Sequence, residues 1–194
     1  MLTADEITVH IGRGAISWQG DLRGDALLLR LGSPLQPLAD VGQVVDLADQ
    51  ADIDTLYEQP RHDWNDFELA PGRMALCAVA QPLRLGAGFA AAIGTLSHLA
   101  RVGLATHVCS PWVMPGWDGH LTLELLNLGP ATLRLHHAMP VARAIILVMD
   151  GTPSGASAHA DYGRTGHLGS RYAAEFGGEF KRELPVTATS TAGT

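Results

Sequence analysis

The stretch from Leu96 to Asn127, LSHLARVGLATHVCSPWVMPGWDGHLTLELLN, places Ser97, Arg101 and Glu124 around a Pro115-Gly116 turn. A hydroxyl, a permanent cation and a carboxylate are the types needed to position water, balance charge and move protons. His120-Leu121-Thr122-Leu123-Glu124-Leu125 alternates as a strand does, successive side chains pointing to opposite faces. Leu121, Leu123 and Leu125 therefore share one face, and His120, Thr122 and Glu124 the other. A carboxylate in so apolar a strand is expensive to bury unless it is paired or used. Each residue alone also has an ordinary reading: Glu124 as a solvated charge, Arg101 as half of a surface ion pair, Ser97 as a helix N-cap.

The elements around these groups are short. Phe89 to Leu104 reads as a strand turning into a single short helix near Leu96 to Arg101. Strands follow at Thr106–Cys109 and His120–Leu126, flanking the turn at Met114-Pro115-Gly116. Thr132–Leu135 and Val141–Met149 continue the series, the latter an apolar run expected of a strand buried on both faces. Upstream, Thr3 with Glu6 three places on has capping-box spacing, which predicts a short helix over residues 3–12. Asp21–Leu31 reads as a strand entering a turn at Ser33-Pro34. Residues 36–66 are acidic and weakly patterned, an irregular insertion with short strands. Phe67–Leu69, the turn Ala70-Pro71-Gly72 and Met74–Val79 read as strand, turn, strand, and Gln81–Leu85 continues the second strand. Many short strands between Pro/Gly turns predict a mainly β barrel or sandwich. One domain is expected over residues 1–180. Within it, 151–180 reads as a mobile segment, and 181–194 as a disordered tail.

Composition narrows the function classes. With 194 residues, 46% hydrophobic and 17% charged, the chain can bury a real core. A net charge of -7 without a Lys/Arg run argues against a nucleic-acid surface. No apolar run reaches spanning length and no apolar N-terminal segment follows a basic start, so no membrane role is expected and a cytoplasmic location is. Cys77 and Cys109 cannot make a disulfide framework and read as reduced, buried thiols. Zinc nucleobase deaminases need a P-C-x-x-C ligand pair, which is absent, and His136-His137 are adjacent on a strand and face opposite ways. No zinc site, and no other protein-bound metal, is expected.

Three segments in order carry a family resemblance: Ser97-His98-Leu99-Ala100-Arg101-Val102-Gly103-Leu104, then Pro115-Gly116-Trp117-Asp118-Gly119, then Thr122-Leu123-Glu124. Their types and spacing resemble the RSSLxRxGL, PGxxG and TLE segments of dCTP deaminases in the trimeric dUTPase-like superfamily, of which this chain looks like a divergent member. Weaker similarity extends from Asp21 to the region of Tyr172. The resemblance implies a distorted β-barrel of the dUTPase-like type with one short helix, a homotrimer, and a pyrimidine deoxynucleotide as ligand. It further implies hydrolytic deamination of dCTP, or a close relative, to dUTP and ammonia.

By the same resemblance Glu124 matches the general base and acid, Arg101 an arginine that holds the site, and Ser97 a serine that positions water or the exocyclic amine. His98, Ser110, Thr122, Leu123, Tyr162 and Arg171 fall at substrate-binding positions, and magnesium accompanies the triphosphate. The chain departs from the pattern at several points: Leu96 stands where the family has an arginine that contacts phosphate, and His98 replaces its second serine. Met114 replaces an aspartate, Arg143 a frequent glutamine, and Glu175 falls where a glutamine is expected. Two alternatives stay open. One is a dUTPase or bifunctional deaminase–diphosphatase; the other is a non-catalytic nucleotide-binding trimer without its phosphate clamp.

Overall fold

A computed structural model describes residues 1–47 and 49–151. The chain begins with α1 (Ala4–Gly12), β1 (Ile16–Ser17), β2 (Leu27–Pro37), α2 (Gln50–Asp54), β3 (Asp66–Leu69), β4 (Met74–Val79), β5 (Leu83–Leu85) and β6 (Phe89–Thr95). It continues with α3 (Ser97–Ala100), β7 (Leu104–Ala105), β8 (Trp112–Val113), β9 (Asp118–Gly119), β10 (Thr122–Asn127), β11 (Leu133–His136) and β12 (Pro140–Val148). The architecture is mainly β, as the sequence predicts. Its principal sheet has seven strands in the order β7-β10-β4-β2-β12-β6-β8, beside a three-stranded β1-β5-β9 sheet and a β3-β11 pair.

The large sheet curls. Thr95 at the end of β6 meets Thr106 just past β7, hydroxyl to hydroxyl at 2.8 Å, so strands far apart in the sheet order approach one another. Its inner face holds the core, with Leu27, Leu29, Leu31, Leu123, Leu125, Val141, Ala144 and Ile146 all fully buried. α1 closes this core through Ile7, and the Leu2 amide donates to the Ile146 carbonyl at 2.9 Å. The capping box forms as expected: Glu6 N donates to the Thr3 hydroxyl while the Thr3 amide donates to Glu6 Oε2.

Several expectations need correction. The residues 106–109 form no strand. Thr106 and Val108 spend their main-chain groups on Thr95 and Glu124 rather than on a ladder, and the strand lies earlier, at β7. Residues 81–85 do not prolong β4. The chain breaks at Ala80–Pro82, and β5 pairs with β1 and β9 in a different sheet. β12 buries one face only, because Arg143 and Val148 are exposed and Ile145 and Leu147 half-exposed. The insertion 36–66 contains a helix, α2, started by Asp49, whose Oδ1 accepts from the Ala51 amide at 2.9 Å. Beside the N-terminal helix the described residues therefore hold two short helices, α2 and α3, rather than one. The expected mobile segment and tail, with Tyr162, Arg171 and Glu175, lie outside the described residues. Among the described residues no helix is long and apolar enough to cross a membrane.

Candidate functional site

Glu124 lies in the middle of β10, between the buried Leu123 and Leu125 and directed away from them. It is half-buried rather than solvated. Its cross-strand partner on β4 is Leu76, which packs with Ala78, Leu38, Tyr57 and Met74 in a small second apolar cluster. The loop after β7 clasps the glutamate. Val108 N donates to Glu124 Oε2 at 2.7 Å, and Glu124 N donates to the Thr106 carbonyl at 3.2 Å. Oε1 has no hydrogen-bond partner among the described residues. One oxygen is thus fixed and the other left to meet a ligand or water. Half-buried Tyr57 senses this charge: burial first, then Asp54 and Glu124, push its hydroxyl above the ordinary tyrosine range. Beside the clasp, His107 Nδ1 is buried without a partner among the described residues, a cost unless a further group satisfies it.

Ser97 opens α3, but the N-cap is Leu96, which has no side-chain capping bond. The ordinary reading of Ser97 as a cap is therefore removed, and its hydroxyl stays exposed. Ser97 and His98 line a small depression of about 110 Å³ together with Leu96, Arg23 and Arg143. Arg101, the C-cap of α3, is exposed and makes no ion pair among the described residues, which removes the surface-pair reading as well. The turn after it is set by close packing: Gly103 has φ +94, and a Cβ there would sit 2.3 Å from Gly129 N. Gly103 O also accepts from Leu128 N at 2.8 Å, fixing Arg101's turn against the end of β10.

The serine and the glutamate are mechanically linked. Thr95, two residues before Ser97, bonds Thr106, and Thr106 accepts from Glu124 N. Glu124 and Arg101 nevertheless do not line the depression that holds Ser97 and His98. Of the other expected ligand residues, Ser110 is exposed on the loop before β8 and Thr122 shares Glu124's face. The Leu123 side chain is wholly inside the core, so only its main chain can meet a ligand. Arg23 and Tyr57 were not among the expected site residues, and Arg143 was noted only as a departure from the pattern. Arg23 and Tyr57 sit in segments without motif; the pairing of β2 with β12 brings Arg23 to Arg143, and a bridge to Leu38 with packing on Leu76 brings Tyr57 to β4 beside Glu124.

The metal question is one of donor type. Magnesium takes oxygen ligands. The depression offers two guanidiniums, an imidazole and one hydroxyl, which do not fit a protein-held magnesium ion. Among the described residues no three His, Cys, Asp or Glu side chains group as a metal site. Cys77 is buried as expected, its thiol pushed up to about 12 by desolvation; Cys109, also expected to be buried, is instead exposed, because residues 106–109 form a surface loop and not a strand.

Comparison with known proteins agrees with the fold and the family resemblance. The chain is 34% identical over 128 residues to a "dCTP deaminase, dUMP-forming" of Corynebacterium jeikeium, covering 66% of this chain and 64% of that protein. It is 31% identical over 147 residues to a protein of the same description from Mycobacterium avium, covering 76% of this chain and 74% of that one. The chain thus spans slightly less than two thirds of the first relative's length. Among solved structures, the 2'-deoxycytidine 5'-triphosphate deaminase of Agrobacterium tumefaciens superposes with a TM-score of 0.59 at 16% identity. That match covers 80% of this chain and 50% of the other, and at this identity it speaks for the fold. The family described as dCTP deaminase-like matches residues 1–147, and the chain belongs to it.

Proposed function

We propose that this protein hydrolytically deaminates dCTP, or a closely related pyrimidine deoxynucleotide, with Glu124 as general base and then general acid. The observation that carries the reading is the half-held carboxylate, with Oε2 fixed by Val108 N–H and Oε1 free among the described residues. A water at Oε1 gives its proton to the carboxylate as its oxygen bonds C4 of cytosine. The proton passes to N3; Glu124 then takes the C4 hydroxyl proton and hands it to the C4 amine, which leaves as ammonia as the C4 carbonyl of uracil forms. Atoms balance as nucleotide plus water to deaminated nucleotide plus ammonia. Arg101 supplies a fixed cation as water ionises, and Ser97 positions the water or the departing amine. Ser110, Thr122, the main chain at Leu123, Tyr162 and Arg171 are proposed to bind the nucleotide. No step is routed through zinc. Magnesium is proposed to arrive with the triphosphate.

A depression of about 110 Å³ is far below the roughly 300–1,000 Å³ of pockets that enclose small molecules. Walls from neighbouring copies would complete the site, and a homotrimer is proposed on that ground. A second reading has a specific support: both relatives above are described as dUMP-forming. On that reading a second water attacks the α-phosphate and the bond to the β-phosphate breaks, yielding dUMP and pyrophosphate. Incubating the protein and magnesium with dCTP and separating the products tests both. Release of dUTP or dUMP with ammonia supports deamination and tells the two readings apart. Intact dCTP that is bound but unchanged would transfer the site to a non-catalytic nucleotide-binding trimer.

A further inference from the structure

We infer that Arg23 and Arg143 form a cationic seat for the polyphosphate tail of the ligand, an inference that rests on the nucleotide reading above. The two arginines come from distant segments, the turn before β2 and the outer face of β12, and converge on one depression with Ser97 and His98. Neither has an ion-pair partner among the described residues. This is unlike Arg30, Arg61, Arg73 and Arg134, each of which meets a carboxylate. The acidic side chains beside Arg23 in sequence are engaged elsewhere: Asp21 with Arg30 at 2.8 Å, and Asp25 Oδ1 with the Ala4 amide at 2.9 Å.

No carboxylate lines the depression. Two permanent positive charges drawn to one small recess without a counter-charge repel each other, and an anion relieves that repulsion. Arg143 pairs across the sheet with Gly94, where even a Cβ would meet nothing within 4 Å, so no side chain from that position covers the guanidinium. Its volume, about 110 Å³, suits phosphoryl groups and not a nucleoside. Guanidinium forks match phosphate oxygens, and the Ser97 hydroxyl adds a neutral donor. In a protein of net charge -7, such a local cationic recess selects for ligands with several phosphates over those with one.

The test is calorimetric titration of the full-length protein with inorganic tripolyphosphate, with orthophosphate as comparison. Wild-type protein should bind tripolyphosphate more tightly than orthophosphate, and its affinity should fall with added salt. Arg23→Gln and Arg143→Gln should each weaken tripolyphosphate binding roughly tenfold or more. Arg143→Lys should lose less than Arg143→Gln, and Arg13→Gln, on the C-cap of α1 outside the recess, should change nothing. Should a glutamine variant fail to fold, the lysine variant and the wild-type salt dependence still decide the matter. Absence of tripolyphosphate binding by folded wild-type protein, or unchanged binding in both glutamine variants, overturns the inference. The probe carries no base, so arginine-dependent binding without dCTP turnover would uphold the seat while sinking the deaminase reading. Turnover of dCTP with unaltered KM in both variants would do the reverse.

Discussion

Glu124 and Asn127 stand three residues apart on β10, yet the fold treats them oppositely. Asn127 is completely buried and fully satisfied: Nδ2 donates to the Leu69 and Ala131 carbonyls, both at 2.8 Å, and Oδ1 accepts from Gly129 N at 2.9 Å. It ties β10 to the end of β3 and to the turn before β11. Glu124 is half-buried, and only one of its two oxygens has a partner among the described residues. A polar group whose hydrogen bonds all end within the chain is there for structure. One left short of partners, in an apolar strand, is a candidate to meet a ligand.

If that contrast is right, truncating each residue should damage different properties. The largest effect on stability is expected for Asn127→Ala, which strands two carbonyls and an amide at about 1–3 kcal/mol for each unsatisfied group, less what solvent recovers. A loss of about 3 kcal/mol or more in urea unfolding is the expected outcome. A loss below about 1 kcal/mol would break the structural half of the comparison.

Glu124→Gln should do the converse. Glutamine keeps the shape and can still accept from Val108 N–H, but cannot take a proton from water. The unfolding midpoint should hold, while deamination falls by roughly a hundredfold or more. Turnover close to wild type would remove Glu124 as the base. Arg101→Ala is expected to cost less, roughly tenfold in kcat/KM, since it stabilises charge without moving a proton. Its folding should be untouched, because the side chain has no ion pair to lose among the described residues. An unfolding midpoint that drops with Arg101→Ala would show a structural partner instead.

What the sequence made legible follows from the range of the forces involved. α1 was readable because a capping box is local, and β10 because its alternation separates Leu123 and Leu125 from Glu124. The strand-to-helix change at β6 and α3 was visible in the shift of hydrophobic period at Leu96. Partner choice was not. β3 and β4 flank a readable turn but pair with β11, and with β2 and β10, because a turn fixes a change of direction and not a neighbour. The loop 106–109 reads as a strand because it flanks, with His120–Leu126, the turn at Met114-Pro115-Gly116. Its main chain instead serves Thr95 and Glu124, contacts separated from it by 11 and 16 residues. Arg23 and Arg143 lie 120 positions apart in sequence, 143 less 23, and only the pairing of β2 with β12 reveals that they share a recess.

The smallest expected effect sharpens the comparison from a third side, with a polar pair that is satisfied but exposed. Thr3 and Glu6 bond each other reciprocally at the start of α1, where water can replace either partner. Thr3→Ala should therefore cost only about 1 kcal/mol of stability, through the lost N-cap, and nothing in deamination. The Thr3 amide, then its hydroxyl, hold Glu6 below its usual value of 4.5. What the carboxylate adds is thus present above that pH and fades as acid protonates it. Comparing the unfolding of wild type and Thr3→Ala at neutral pH and well below that value should show the gap between them narrowing in acid. A gap that widens instead, or one as large as that expected for Asn127→Ala, would mean that hydrogen-bond satisfaction, and not burial, sets the size of the loss.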